Sequence, residues 1–136
     1  MKSLFRCLGA TVAAIMVAFL LVIGVEGFGA VAHPFPPDFQ HSQEEMCRHV
    51  ERFPAWVLAV VIPLWAGTAF IGTWIAGRWG NVACAGFVGV LLLAAVVLNL
   101  SMLPYPLWFK FGNLAAMPIA ILVAGISSTR QRKTGS

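Results

Sequence analysis

Residues 54–100 read PAWVLAVVIPLWAGTAFIGTWIAGRWGNVACAGFVGVLLLAAVVLNL, and Arg78 is the only charged side chain among them. A bilayer-spanning helix takes roughly 20 predominantly apolar residues. The stretch therefore holds two, about Pro54 to Ala76 and about Val82 to Leu100. The turn Gly77-Arg78-Trp79-Gly80-Asn81 is short enough to make them an antiparallel hairpin. Outward from this hairpin lie two further apolar runs, about Leu8 to Gly29 and about Leu107 to Ile126. Between the third and fourth runs, Pro104 and Pro106 each lack a backbone N–H and disfavour helix at the preceding residue, so the chain must turn there.

The whole chain agrees with its central stretch. Of 136 residues, 60% are hydrophobic and 10% charged, with a mean hydropathy of +0.86. Soluble domains carry about 25% charged residues. The scarcity of charge excludes a disordered chain, and three Cys are too few for a disulfide scaffold. The expected fold is all-α, an integral membrane four-helix transmembrane bundle. It forms a single domain over 1–136, with spans 8–29, 54–76, 82–100 and 107–126 and an outer loop at 30–53.

Charge orients the bundle. Lys2 and Arg6 precede the first span, Arg78 sits between the second and third, and Arg130, Arg132 and Lys133 follow the fourth. The 30–53 loop instead sets Asp38, Glu44, Glu45 and Glu51 against Arg48 and Arg52. By the positive-inside rule both termini are expected in the cytoplasm and the loop outside, with Lys110 the exception that snorkels. The net charge of +4 is too dispersed to form a nucleic-acid-binding face. Ala30-Val31-Ala32 has the form of a signal-peptide cleavage site. The run from Cys7 to Val25 is longer than the 7–15 residues usual for a signal peptide, so the first span is read as retained.

The loop opens on His33-Pro34-Phe35-Pro36-Pro37, a stiff extended stretch. Ser42 and Glu45 then have capping-box spacing, which predicts a helix over about Gln43 to Phe53. Met46, Val50 and Phe53 share its apolar face, and Glu44 and Arg48 form an i,i+4 pair. Such a helix is expected to lie on the outer membrane surface.

Glu26 is the first candidate for function, because an ionisable group inside a span is costly. It is also near enough to the outer end to reach water, or to pair with Arg52, His33 or Lys110. Asn99, Asn113 and Tyr105 fall at the same level and extend it into a candidate coupling or ligand site. His41, Glu45 and His49 are spaced four apart and would serve as metal ligands on a continuous helix; with Ser42 as the cap, His41 lies before the helix and the three need not align. Cys7 and Cys84 start on the cytoplasmic side and Cys47 lies outside, so no intramolecular bridge is expected. No C-x-x-C or in-span His points to a redox or haem cofactor. In the second span Thr68, Gly72 and Ala76 form a small-residue row that Gly86 and Gly89 of the third can face; this reads as helix packing.

Glu26, Pro34-Phe35-Pro36-Pro37, Phe53-Pro54, Gly67 and Gly72, Asn99, and Pro104-Tyr105-Pro106-Leu107-Trp108-Phe109 together resemble a family of uncharacterised small bacterial four-transmembrane-helix membrane proteins. The resemblance covers most of the chain from Glu26 to Trp108. It implies four spans in a bacterial inner membrane and no particular activity. The small multidrug resistance transporters are similar in architecture alone. Here the acid lies near the outer end, the outer loop is longer and the charge bias fixes one orientation. On this reading the chain is a non-enzymatic accessory component, packing in the lipid bilayer with itself or with a larger membrane protein. The alternative is a small proton- or cation-coupled transporter using Glu26. A third is a periplasmic metal or stress sensor using the loop His residues.

Overall fold

The computed structural model describes residues 1–135, and all regular structure among them is helical. α1 spans Lys2–Ala32, α2 Gln43–Glu51, α3 Ala55–Ile75, α4 Val82–Met102 and α5 Leu107–Thr134. A π-helical turn, Ala76–Gly80, continues α3 before Asn81 breaks the helix. Four helices, α3 with its π turn among them, are long and apolar enough to cross a membrane. At 1.5 Å per residue, the 31 residues of α1 measure about 46 Å, well beyond a hydrocarbon core of about 30 Å.

The helix ends follow from local chemistry. α1 stops where His33 turns extended ahead of Pro34, and the His33 N–H bonds back to Gly29 O at 2.8 Å. α4 starts where the Asn81 side chain accepts from Cys84 N at 3.0 Å, and stops at Leu103, before Pro104. α5 runs past the expected end near Ile126 through the polar tail to Thr134. Arg132 anchors that extension, donating from Nη1 to Gly80 O at 2.6 Å. Arg6 of α1 donates to the neighbouring Trp79 O at 2.7 Å. Two arginines from opposite chain ends thus cap the carbonyls of the π turn. The two ends of the described chain and this turn share one end of the bundle, the basic end; the 33–53 segment lies at the other, the loop end.

α3 is the central helix, packed against α1, α4 and α5, while the backbones of α1 and α5 stay apart. Small residues bring the backbones close. A Cβ on Gly72 would meet Leu92 Cδ1 at 3.1 Å and Ala18 Cβ at 3.4 Å, and one on Gly77 would collide with Ser128 and lie 3.2 Å from Ala85 Cβ. Thr68 and Ala76 are buried with them, and Gly89 lies against Ile121 and Thr73. Gly86 stands apart from this contact and faces open space.

The expectation about the cysteines is overturned. Cys7 and Cys84 form a disulfide, with Cα atoms 5.9 Å apart. Their shared level at the basic end, read as leaving both thiols free, is what allows it: α1 leans on the π turn and meets the first turn of α4 there. Away from these contacts the bundle presents an apolar surface, including Val12, Met16, Phe19 and Ile23 of α1 and Phe87, Val90 and Leu98 of α4.

Candidate functional site

The bridge and the arginine contacts hold α1 against α4 and the π turn at the basic end. Toward the loop end a cleft opens between α1 and α4. A half-open pocket of about 150 Å³ lies in it, lined by Val22, Trp65, Leu92, Val96 and Met117. Its polar groups are Glu26, Thr68 and Asn99. A larger space of about 640 Å³ opens toward the loop end, between the last turns of α1 and α4, α2 and Tyr105. Glu26, itself exposed, and the half-buried Asn99 line both spaces.

Glu26 has no hydrogen-bond or ion-pair partner among the described residues. The expected partners Arg52, His33 and Lys110 make no such contact, and neither cavity is lined by a Lys or Arg. Asn99 Oδ1 is buried without a partner. Thr68 spends its hydroxyl proton on Leu64 O, 2.9 Å away, so the lone pairs of its oxygen remain.

Tyr105 closes an aromatic group with Trp65 and Phe109, at centroid distances of 6.4 and 4.7 Å. Burial, and secondarily the Glu26 carboxylate, push its phenol well above the usual range. Glu26, Asn99 and Tyr105 therefore meet around one cleft, as their level in the sequence implied. Asn113 does not join them. It is fully buried in α5, gives its amide N–H to Phe109 O at 2.9 Å and lines neither space.

α2 roofs the wider space. Met46, Val50 and Phe53 turn toward the cleft, so the apolar face expected on the membrane surface covers this chain's own cavity. The helix ends at Glu51, short of the expected Phe53. Ser42 caps it through Glu45 N at 3.2 Å. The Glu45 carboxylate reaches back to the Gln40 N–H at 2.9 Å and the Ser42 hydroxyl at 3.2 Å, and these bonds hold it below the ordinary carboxylate range. Glu44 and Arg48 form the expected pair at 3.5 Å.

The proposed metal ligands do not converge. His41 lies before the cap with φ 62° and packs on Phe39, away from His49. Among the described residues no three His, Cys, Asp or Glu side chains are placed to hold a metal ion. His49 stacks instead on His33 at 4.4 Å and on Phe35 at 4.3 Å, tying the proline-rich stretch to α2. Sequence reading missed this stack, since His33 and His49 sit on different elements; their shared company of Phe35, Phe39 and Phe53 was the available signal. Compared with protein-family models, curated proteins and solved structures, the chain finds no match.

Proposed function

We propose that the chain is an integral protein of a bacterial inner membrane, its four long helices crossing the bilayer, and that it is a small carrier exchanging a cation for a proton at Glu26. The observation that carries this reading is the position of Glu26: an unpaired carboxylate in the cleft between α1 and α4, lining both the half-open pocket there and the wider space at the loop end. Residues of this kind in a span mark ion and proton paths. The apolar outer surface supports immersion in lipid. Clustering of Arg6, Arg78 and Arg132 at the basic end supports a cytoplasmic position for both termini, with residues 30–53 outside; the Cys7–Cys84 bridge at that end counts against it, since disulfides are rare where the cytosol keeps thiols reduced. Association through the small-residue row has weaker support, because Gly72 and Gly77 are already covered by α1, α4 and α5 of the same chain.

The test is proton movement in liposomes carrying the purified protein and an internal pH dye, challenged from outside with Na+, K+ and benzyltrimethylammonium in turn. At least one cation should drive proton movement above the leak of protein-free vesicles. Glu26→Gln should abolish it at equal reconstitution. Absence of movement with all three, or a Glu26→Gln protein as active as the parent, overturns the carrier reading.

A further inference from the structure

On the proposed orientation the bridge between Cys7 and Cys84 lies at the cytosolic end of the bundle. Disulfides that do occur in the cytosol are usually transient, serving catalysis or redox sensing. Three features of this pair suit a bond that opens and closes. The two sulfurs differ in access: Cys7 is half-buried, while Cys84 is 1% exposed, so an incoming thiol meets the Cys7 side. The Cys84 sulfur lies 3.1 Å from Asn81 Oδ1, the oxygen that also accepts from the Cys84 N–H at 3.0 Å. A disulfide sulfur has no proton to give, so the first contact becomes a hydrogen bond only when Cys84 is a thiol. An amide oxygen has two lone pairs and can receive both protons, so the reduced sulfur finds its acceptor in place. Finally, α1 has other holds at this end. Arg6 donates to Trp79 O at 2.7 Å, and the buried Ala10 lies close against Gly80. Opening the bridge removes the covalent tie and leaves these contacts.

We propose that Cys7 and Cys84 form a redox switch, reduced by a cytosolic thiol, that fixes or frees α1 against α4 at the basic end. A reductant thiolate attacks Cys7 Sγ. The new S–S bond forms as the Cys7–Cys84 bond breaks, and the electron pair leaves on Cys84 Sγ, which takes up a proton and donates it to Asn81 Oδ1. A second thiol of the reductant then displaces Cys7 from the mixed disulfide. Two thiols are oxidised to one disulfide, and two protons end on Cys7 and Cys84. The consequence for transport rests on the carrier reading. A carboxylate reached from the loop end must at another time be reached from the basic end. The bridge stands where α1 and α4 would have to part, so the oxidised chain is locked with its cleft toward the loop end and the reduced chain turns over.

The experiment begins with the folded full chain in detergent, equilibrated with reduced and oxidised glutathione at a cytosol-like ratio, labelled with maleimide and weighed. A second addition, at Cys7, should join the one at Cys47. Amide exchange across residues 5–14 and 82–88 should rise about three-fold or more over the oxidised protein, with helix content unchanged. In liposomes, reduction should speed cation-driven proton movement about five-fold or more, and Cys7→Ser should move protons at the reduced rate whatever the redox state. A single addition under glutathione marks a permanent structural tie and overturns the inference, as does exchange that reduction leaves unchanged. Proton movement at one rate in both redox states also overturns it, and the carrier reading stands. If the bridge opens and exchange rises while no cation moves protons in either state, the switch stands and the carrier reading falls.

Discussion

Asn99 shows how one polar atom can cost stability. Its Oδ1 is buried without a donor, and a buried polar atom left without its hydrogen bond costs about 1–3 kcal/mol. Leu keeps the approximate shape and removes the unmet acceptor. Asn99→Leu should therefore raise the thermal midpoint in detergent, by about 1 kcal/mol of stability; scanning fluorimetry reads it. A drop in stability would mean that the amide has a structural partner. His49 makes a different case, because it titrates. Burial first, and then the nearby His33, hold its pKa below the ordinary value of 6.5, against a pull upward from the His33 carbonyl. A group whose folded pKa is depressed adds stability above its unfolded pKa and loses it as pH falls toward the folded value. Asp38, Glu45, Arg48 and Arg52 line the same pocket, and Glu26 shares the wider space. As pH falls from 7.5 through 6.5 and below, the 33–42 stretch should come away from α2. Hydrogen exchange should rise across 33–53, and His49→Phe, which keeps an aromatic in the stack and removes the proton site, should flatten that dependence.

At the scale of elements, the packing of α3 depends on glycine where backbones come closest. A side chain at Gly77 runs into Ser128 of α5 and Ala85 of α4 at once, so a small change should be felt by three helices. Overpacking typically costs about 1–3 kcal/mol; Gly77→Val should reach at least that in thermal unfolding, whereas Gly86→Ala, facing open space, should change little. The same contact shows what was legible in the sequence and what was not. Helix number was written in hydropathy, and the ends beside Asn81 and prolines 34, 54, 104 and 106 in those residues, because they act on their immediate neighbours; the start of α1 at Lys2, the π turn through Gly80 and the end of α5 at Thr134 were not. The row of Thr68, Gly72 and Ala76 could be read as a packing face, but not as one filled within a single chain, since that depends on which helices α3 meets. The Cys7–Cys84 bridge has the same origin. Two residues 77 positions apart become neighbours only once α1 settles on the π turn. Cys84 is 1% exposed, so a maleimide should add once, at Cys47, in the native protein. Three additions should appear only after reduction in sodium dodecyl sulfate. Three additions without reductant would show the pair to be a dithiol.

Across the whole molecule, the arrangement is asymmetric: a tied basic end and a parted loop end with the acid in its cleft. At the basic end, Arg6 and Arg132 hold the π turn and the bridge ties α1 to α4. At the loop end, α1 and α4 part around Glu26, and the roof is a short helix held by stacked rings. Much of this was visible early as charge bias and the lone in-span acid. The cavity itself was not, since its walls at Trp65, Met117 and Leu92 come from three helices. For such a molecule to exchange ions across a membrane, the two ends must face different compartments, and the chain carries its own reporter of which is which. With Cys7 and Cys84 joined, Cys47 is the free thiol, and it sits in α2 at the loop end. A membrane-impermeant maleimide should label Cys47 from the periplasmic face of spheroplasts and leave it unlabelled in sealed inverted vesicles. Thr134→Cys, placed in the last turn of α5 beside the basic end, should add a second site with the opposite pattern. Labelling of Cys47 from the cytoplasmic face would reverse the orientation drawn from the arginines. It would also turn the mouth of the Glu26 cleft inward, so that the carrier would take its cation from the cell interior.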